Sequence, residues 1–297
     1  MPSQEYLAFA ERMASMPPPP PPKDIVEQRA RIDAALGAQP LAEGTSATEV
    51  DADGVHAILC RRDGAGDDAW LVYFHGGGYR IASALAYRAH GSHLARVCKA
   101  NVLVVDCRLA PENPFPAAVD DAVAAYRWVL DQGVAPGKVV IGGDSAGGGL
   151  TAALLLAAKA QGLALPGGAI CLSPWADLTN TAATYTSNAD TDKLFSKTSA
   201  DEAGALFLQG QDPKDPLASP VFGDWAGMPP LLVLVGSVEV LLDDAIRLSE
   251  TAGAAGVDVE LAVYPDMPHV WQTNYPAFPE AVQAVEQMAA FVARVAG

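Results

Sequence analysis

Apolar and polar positions along the chain alternate with two periods. Tyr6, Leu7, Ala10, Met13 and Ala14 fall near helical spacing and predict an amphipathic helix that stops at the proline run Pro17 to Pro22. Proline fixes φ and removes a donor, so that run is extended and reads as a stiff spacer rather than as a ligand for a proline-recognising module. A second helical pattern runs from Asp24 to about Leu36. From about Thr48 the texture changes to short β-like pieces, TEVDA, VHAILCRR and WLVYFH. Strands and helices then alternate: a helix from about Leu85 to Cys98, the strand NVLVVDC, a helix from about Ala117 to Leu130, the strand KVVIGG, a helix from about Ala146 to Ala160, and the strand GGAICLS. After an irregular interval come PLLVLVG, a helix from about Leu241 to Ala255, VDVELAVY and a last helix from about Pro276 to Val295.

Such alternation predicts an α/β fold with a mostly parallel central sheet covered by helices on both faces. The interval from about Pro174 to Phe222 breaks the rhythm with Thr, Asn, Asp and Pro, while Leu206, Phe207 and Leu208 suggest helical pieces inside it. An excursion at the carboxyl ends of strands is where a substrate-covering lid belongs. The chain therefore divides into N-terminal cap helices (1–45), a first part of the core (46–173), an inserted cap segment (174–225) and a second part of the core (226–297).

Composition narrows the classes. Half of the 297 residues are hydrophobic, enough for a large core. Against 35 acidic residues stand 19 Lys and Arg, a net charge of -16 that repels phosphate backbones and anionic membrane surfaces. Nucleic acid and membranes are thus not expected as partners. Cys60, Cys98, Cys107 and Cys171 are far apart in apolar contexts and read as buried free thiols. Glu5, Glu11 and Arg12 interrupt the first apolar pattern, unlike a signal peptide, and no apolar run reaches membrane-spanning length, so a cytoplasmic protein is expected.

The sharpest chemical signal is Gly143-Asp144-Ser145-Ala146-Gly147-Gly148, set between the strand KVVIG and an apolar helix. In that position a G-x-S-x-G sequence builds a tight elbow that exposes the serine hydroxyl, here Ser145, near the positive end of a helix. A phosphate cradle would need a lysine that this loop lacks. His75-Gly76-Gly77-Gly78 follows the strand WLVYF. Acyl transfer generates an oxyanion, and glycines let backbone N–H groups turn toward one point; Ala146, next after the serine, would supply a further donor.

Serine needs a base, and five histidines are available. His56 lies in an early strand, His75 opens the glycine loop, and His90 and His93 lie on a helix, where they read as an ordinary face rather than a metal pair. Only His269, in YPDMPHVW, follows the last strand, so it is the expected base. The acid that orients it should follow PLLVLVG. In SVEVLLDD the candidates are Glu239, Asp243 and Asp244; Glu239 stands immediately past the strand and is chosen, with Asp243 its rival.

With these positions in place, the chain from about Trp70 onward resembles the bacterial hormone-sensitive lipase family of esterases, on the α/β-hydrolase fold. The resemblance rests on HGGGY, on DCRLAPENPFPAAVDDA from Asp106 to Ala122, on GDSAGGGL and on YPDMPH. It implies that Gly77 and Gly78 donate to the oxyanion, and that Arg108, Glu112 and Asp120 make supporting contacts. It also implies a cap and a preference for short- to medium-chain acyl groups, with room for bulky alcohols over the glycine loop. Where that family usually has D-P-L, this chain has Glu239-Val240-Leu241, similar to a subgroup with glutamate as the acid. The reading is thus a serine carboxylesterase that takes a small-molecule ester and requires no cofactor or metal. Lactonase, amidase and thioesterase chemistry share the same machinery, and a non-catalytic receptor on this fold would be expected to lose the base. VDVELAVY could be an edge strand that pairs with its copy, giving a homodimer.

Overall fold

The alternating segments close into one eight-stranded sheet in a computed structural model that describes residues 1–66 and 69–297. In chain order the elements are α1 (Gln4–Ser15), α2 (Ile25–Leu36), β1 (Thr45–Asp51), β2 (His56–Arg62), β3 (Ala69–Phe74), α3 (Ala84–Cys98), β4 (Ala100–Val105), α4 (Ala117–Asp131), β5 (Val139–Asp144) and α5 (Ala146–Ala160). They continue with β6 (Gly168–Leu172), α6 (Thr184–Ser187), α7 (Lys197–Leu208), β7 (Leu231–Gly236), α8 (Leu242–Ala254), β8 (Val259–Tyr264) and α9 (Pro279–Ala296). Side chains of Ser3, Asp24, Ser83 and Ser196 cap α1, α2, α3 and α7 by accepting an orphan backbone N–H. The last helix begins at Pro279 rather than Pro276, because proline suits a first helical turn and Phe278 before it is still extended.

The strand order is β1-β2-β4-β3-β5-β6-β7-β8; β2 is antiparallel to both its neighbours, and the pairs from β4 onward are parallel. Every residue of β4, β5 and β7 is buried, which explains why their sequences are continuous apolar runs instead of alternating ones. One core cluster packs α4, α5 and α8 on one face, and the other packs α3 and α9 on the opposite face. Burying one such Leu or Val side chain contributes about 1.5–3 kcal/mol, so the sheet is a rigid platform. The four cysteines are buried and free. Burial pushes the thiols of Cys60, Cys98 and Cys171 up to about 12, which leaves them unreactive.

Strand β3 is followed in the chain by β4 on one side of it and then by β5 on the other. That reversal opens a crevice at the carboxyl ends of β3 and β5, the place where open α/β sheets bind ligands. Both chemical motifs emerge there. Leu194, Phe195, Ser199 and Ala203 border it, and Phe207 of α7 stacks on Tyr79 of the glycine loop at 3.9 Å between ring centroids. The apolar face of α1 differs from the expected one: Tyr6 and Phe9 pack on Phe278, while Leu7 and Met13 stay exposed. Only the first half of α1 meets α9, where Ser3 also bonds Glu280, and its second half runs out to the prolines without a partner surface. Strand β8 is at a sheet edge, with Leu261 and Val263 exposed. Among the described residues no helix is long and apolar enough to cross a membrane.

Candidate active site

Ser145 sits between the last residue of β5 and the first of α5, at φ 55° and ψ -121°. This is a strained backbone for a residue with a side chain, and it turns the hydroxyl out of the sheet plane. The turn is possible because the helix comes very close to β3: a Cβ on Gly147 would collide with the Phe74 carbonyl. Ser145 N–H donates to the Leu172 carbonyl at 2.8 Å, and the Ser145 carbonyl accepts from Trp175 N–H at 2.9 Å, so both neighbouring segments fix the elbow.

The hydroxyl meets His269 Nε2 at 2.9 Å, and His269 Nδ1 meets Glu239 Oε2 at 2.8 Å. An ionised carboxylate can only accept, so the proton is on Nδ1 and the lone pair of Nε2 faces the serine. Glu239 is wholly buried, and its other oxygen accepts from Ser173 Oγ at 2.7 Å and from Gly236 N–H at 2.5 Å. Burial raises the Glu239 carboxyl, while its bonds to His269, Gly236 and Ser173 act in the other direction. For His269 burial opposes the charged ring, but the Glu239 hydrogen bond and charge, with Asp192 and Asp144 behind them, carry it above the ordinary imidazole value.

The glycine loop lies across the crevice. Gly77 has φ 114° and Gly78 φ 61°; a Cβ on Gly77 would strike the Ile81 carbonyl, so the loop cannot be built from other residues. Among the described residues no acceptor takes the N–H of Gly77 or Gly78. Ser145, His269, Gly77 and Gly78 together line a cavity of about 300 Å³, with Gln28 of α2, Arg80, Ile81, Leu194, Phe195 and Ala203. A larger cavity of about 540 Å³ is at the opposite end of the strands, among Arg61, Trp70, Asn101 and Trp128. Among the described residues its lining holds no serine, cysteine or histidine, whereas the smaller cavity holds both Ser145 and His269.

The remaining candidates go elsewhere. Asp243 accepts Thr184 N–H at 3.1 Å and Asp244 accepts the N–H groups of Ala176 and Asp177 at 3.1 and 3.0 Å, so both tie the inserted segment to α8 and neither bonds His269. His56 pairs with Asp106 at 3.0 Å, and His75 Nδ1 faces the Gly76 carbonyl at 2.7 Å. His90 is buried against Tyr73 and Tyr87, and burial with the neighbouring His93 lowers it to about 3; His93 packs on Tyr275. Of the supporting residues, Glu112 is held by Arg29 of α2 at 2.8 Å. Arg108 pairs with Asp121 at 2.7 Å, and Asp120 is the exception. Adjacent helical residues point about 100° apart, so with Asp121 turned to Arg108, Asp120 is turned to solvent.

Several site residues carried no sequence signal. Ser173 follows β6, which the sheet order places between β5 and β7, and knowing that order would have marked it. Phe195 stacks on the His269 ring at 5.5 Å and 19°. Asp192, buried, accepts from Leu194, Phe195 and Val240 N–H and so holds the irregular segment that carries Phe195 against the histidine. Asp144, also buried, accepts the hydroxyls of Tyr73 and Tyr87, both at 2.9 Å, under the glycine loop.

Comparison with known proteins agrees with the fold. A family model described as the alpha/beta hydrolase fold matches residues 71–273. An acetyl-hydrolase of Streptomyces hygroscopicus is 45% identical over 231 residues, covering 78% of this chain and 77% of its own. An esterase of Acinetobacter venetianus is 40% identical over 223 residues, covering 74% of this chain and 73% of its own. Among solved structures, an esterase from the bacterial hormone-sensitive lipase family superposes with a TM-score of 0.92 at 43% identity, over 100% of both chains. An esterase/lipase from an uncultured bacterium gives 0.91 at 39% identity, over 98% of each.

Proposed function

Because the chain belongs to the α/β-hydrolase family, among the bacterial hormone-sensitive lipase esterases, its chemistry is carboxylic ester hydrolysis, and we propose that this proceeds through an acyl-enzyme on Ser145. The observation that carries the proposal is the unbroken chain from Glu239 through His269 to Ser145, at 2.8 and 2.9 Å. Ser145 Oγ attacks the ester carbonyl carbon while His269 Nε2 takes its proton, and the carbonyl π pair moves onto oxygen. The N–H groups of Gly77, Gly78 and Ala146 receive that oxyanion. As the C–O bond to the alcohol breaks, the imidazolium returns its proton to the leaving oxygen. Water then attacks the acyl-enzyme, giving its proton to His269, and Ser145 leaves with that proton. Glu239 keeps Nδ1 protonated and stabilises the transient imidazolium.

A cavity of about 300 Å³ is at the lower end of ligand-pocket sizes, and this supports short to medium acyl chains. The α2 helix and residues 174–225 serve as the cap in this reading. The exposed β8 edge supports a homodimer made by pairing with its copy. The base must be unprotonated, so activity is present above the His269 pKa and lost as pH falls through it; the charge of Glu239 places that midpoint above the usual imidazole value of about 6.5. Steady-state rates from acid to mildly alkaline pH, on acetyl, butyryl and palmitoyl p-nitrophenyl esters, test both points. The expected result is an acid limb centred above the ordinary imidazole value and a kcat/KM that falls for the palmitoyl ester. A flat profile would remove His269 from the mechanism.

A further inference from the structure

Arg80 stands two residues beyond the glycine loop, and its backbone is fixed on both sides. Its N–H donates to the Gly77 carbonyl at 3.1 Å, and its carbonyl accepts from Arg29 Nε at 2.8 Å. The side chain turns into the cavity that holds Ser145 and His269, and a Cβ placed on Gly78 would lie 3.8 Å from Arg80 Nε. Several arginines of this acidic chain have carboxylate partners, Glu112 for Arg29, Asp121 for Arg108, Asp177 for Arg247 and Asp258 for Arg294, but of the arginines without one Arg80 is the one that lines this cavity. Among the described residues, no carboxylate pairs with Arg80.

The carboxylates around the site are already committed. Asp144 is taken by two tyrosine hydroxyls, Asp192 by three backbone N–H groups, and Glu239 by His269, Ser173 and Gly236. The donors of the guanidinium are thus left for whatever enters the cavity. A planar fork of N–H groups next to the oxyanion loop matches a second carboxylate, and a partly desolvated cation favours an anion over an isosteric neutral group. We propose that Arg80 selects small esters that carry a carboxylate within a few bonds of the scissile carbonyl. The inference rests on Ser145 as the reacting group and adds a substrate class to it. The chain's net charge of -16 opposes anions at a distance, so the preference is local and is best read where salt screens beyond roughly 8 Å.

The test compares kcat/KM within two isosteric pairs at physiological ionic strength. Monoethyl succinate against ethyl succinamate puts the charge on the acyl side, and 4-acetoxybenzoate against 4-acetoxybenzamide puts it on the alcohol side. In at least one pair the anion is expected to be favoured about tenfold, the size of a charge-assisted hydrogen bond. Arg80→Gln should bring that ratio close to unity, Arg80→Lys should restore part of it, and Arg80→Glu should invert it. A wild-type ratio at or below unity in both pairs overturns the proposal. So does Arg80→Gln lowering charged and neutral esters alike, which would place Arg80 in support of the loop instead. Failure of the Ser145 reading is separate, because it would show as activity surviving Ser145→Ala whatever these ratios are.

Discussion

Ser145→Ala is expected to lower kcat by roughly a million-fold while leaving KM and thermal stability close to those of the parent, the size of loss seen when a nucleophile is removed from a concerted triad. Among the described residues the hydroxyl is the one hydrogen-bond partner of His269 Nε2, and the elbow at φ 55° aims it into the cavity. Without it, bound ester still faces the N–H groups of the glycine loop. The remaining rate should therefore exceed that in water, because oxyanion stabilisation and binding survive. The fold should not suffer, since Ser145 is anchored through its backbone to Leu172 and Trp175. Single-turnover kinetics with a chromogenic ester, paired with a melting curve, measures both quantities. A variant that is folded and nearly as active as the parent would place the chemistry elsewhere.

Glu239→Gln is expected to cost on the order of ten-thousand-fold in kcat, because it reverses the histidine tautomer. Three donors converge on the native carboxylate: Ser173 Oγ, Gly236 N–H and His269 Nδ1–H. A glutamine oxygen can satisfy the first two, which turns its NH₂ toward the ring. Nδ1 must then accept, the proton moves to Nε2, and the ring can no longer take a proton from Ser145. Burial without the carboxylate also pulls the His269 pKa down, so the acid limb of any residual activity should move to lower pH. Asp243→Asn, by contrast, touches only the Thr184 N–H that Asp243 accepts, and less than about a tenfold change in kcat is expected. Parallel pH profiles of the two variants decide between them: collapse of the Asp243 variant alone would reverse the assignment.

How far the sequence could be read followed the range of the forces involved. Local signals were complete: the apolar runs of β4, β5 and β7, the strand-to-helix position of Ser145 and the placement of His269 after β8 needed no tertiary information. The family resemblance drawn from HGGGY, GDSAGGGL and YPDMPH agrees with the 71–273 match and with the superposed esterases. Contacts between distant segments were legible where a motif marked both ends, as for Ser145 and His269, and not elsewhere. Ser173 reaches Glu239 across 66 positions, and Phe195 comes to His269 only through the folding of the inserted segment. Asp120 was expected to make a supporting contact, but it is Asp121 that meets Arg108; which of the two faces inward depends on the phase of α4, and a one-residue uncertainty reverses it. The apolar face expected of α1 was half wrong for a similar reason: pattern gives a face but not how much of the helix another surface will meet.

The central claim is that a covalent intermediate forms on one serine, and it is tested most directly by trapping that intermediate. The protein is incubated with a p-nitrophenyl alkylphosphonate, which the nucleophile attacks but water cannot then release quickly, and intact mass and peptide mapping follow. The account predicts a single adduct on Ser145, absent from Ser145→Ala and formed far more slowly by Glu239→Gln. An adduct on any other residue that abolishes ester hydrolysis, or complete inactivation with Ser145 unmodified, would contradict it.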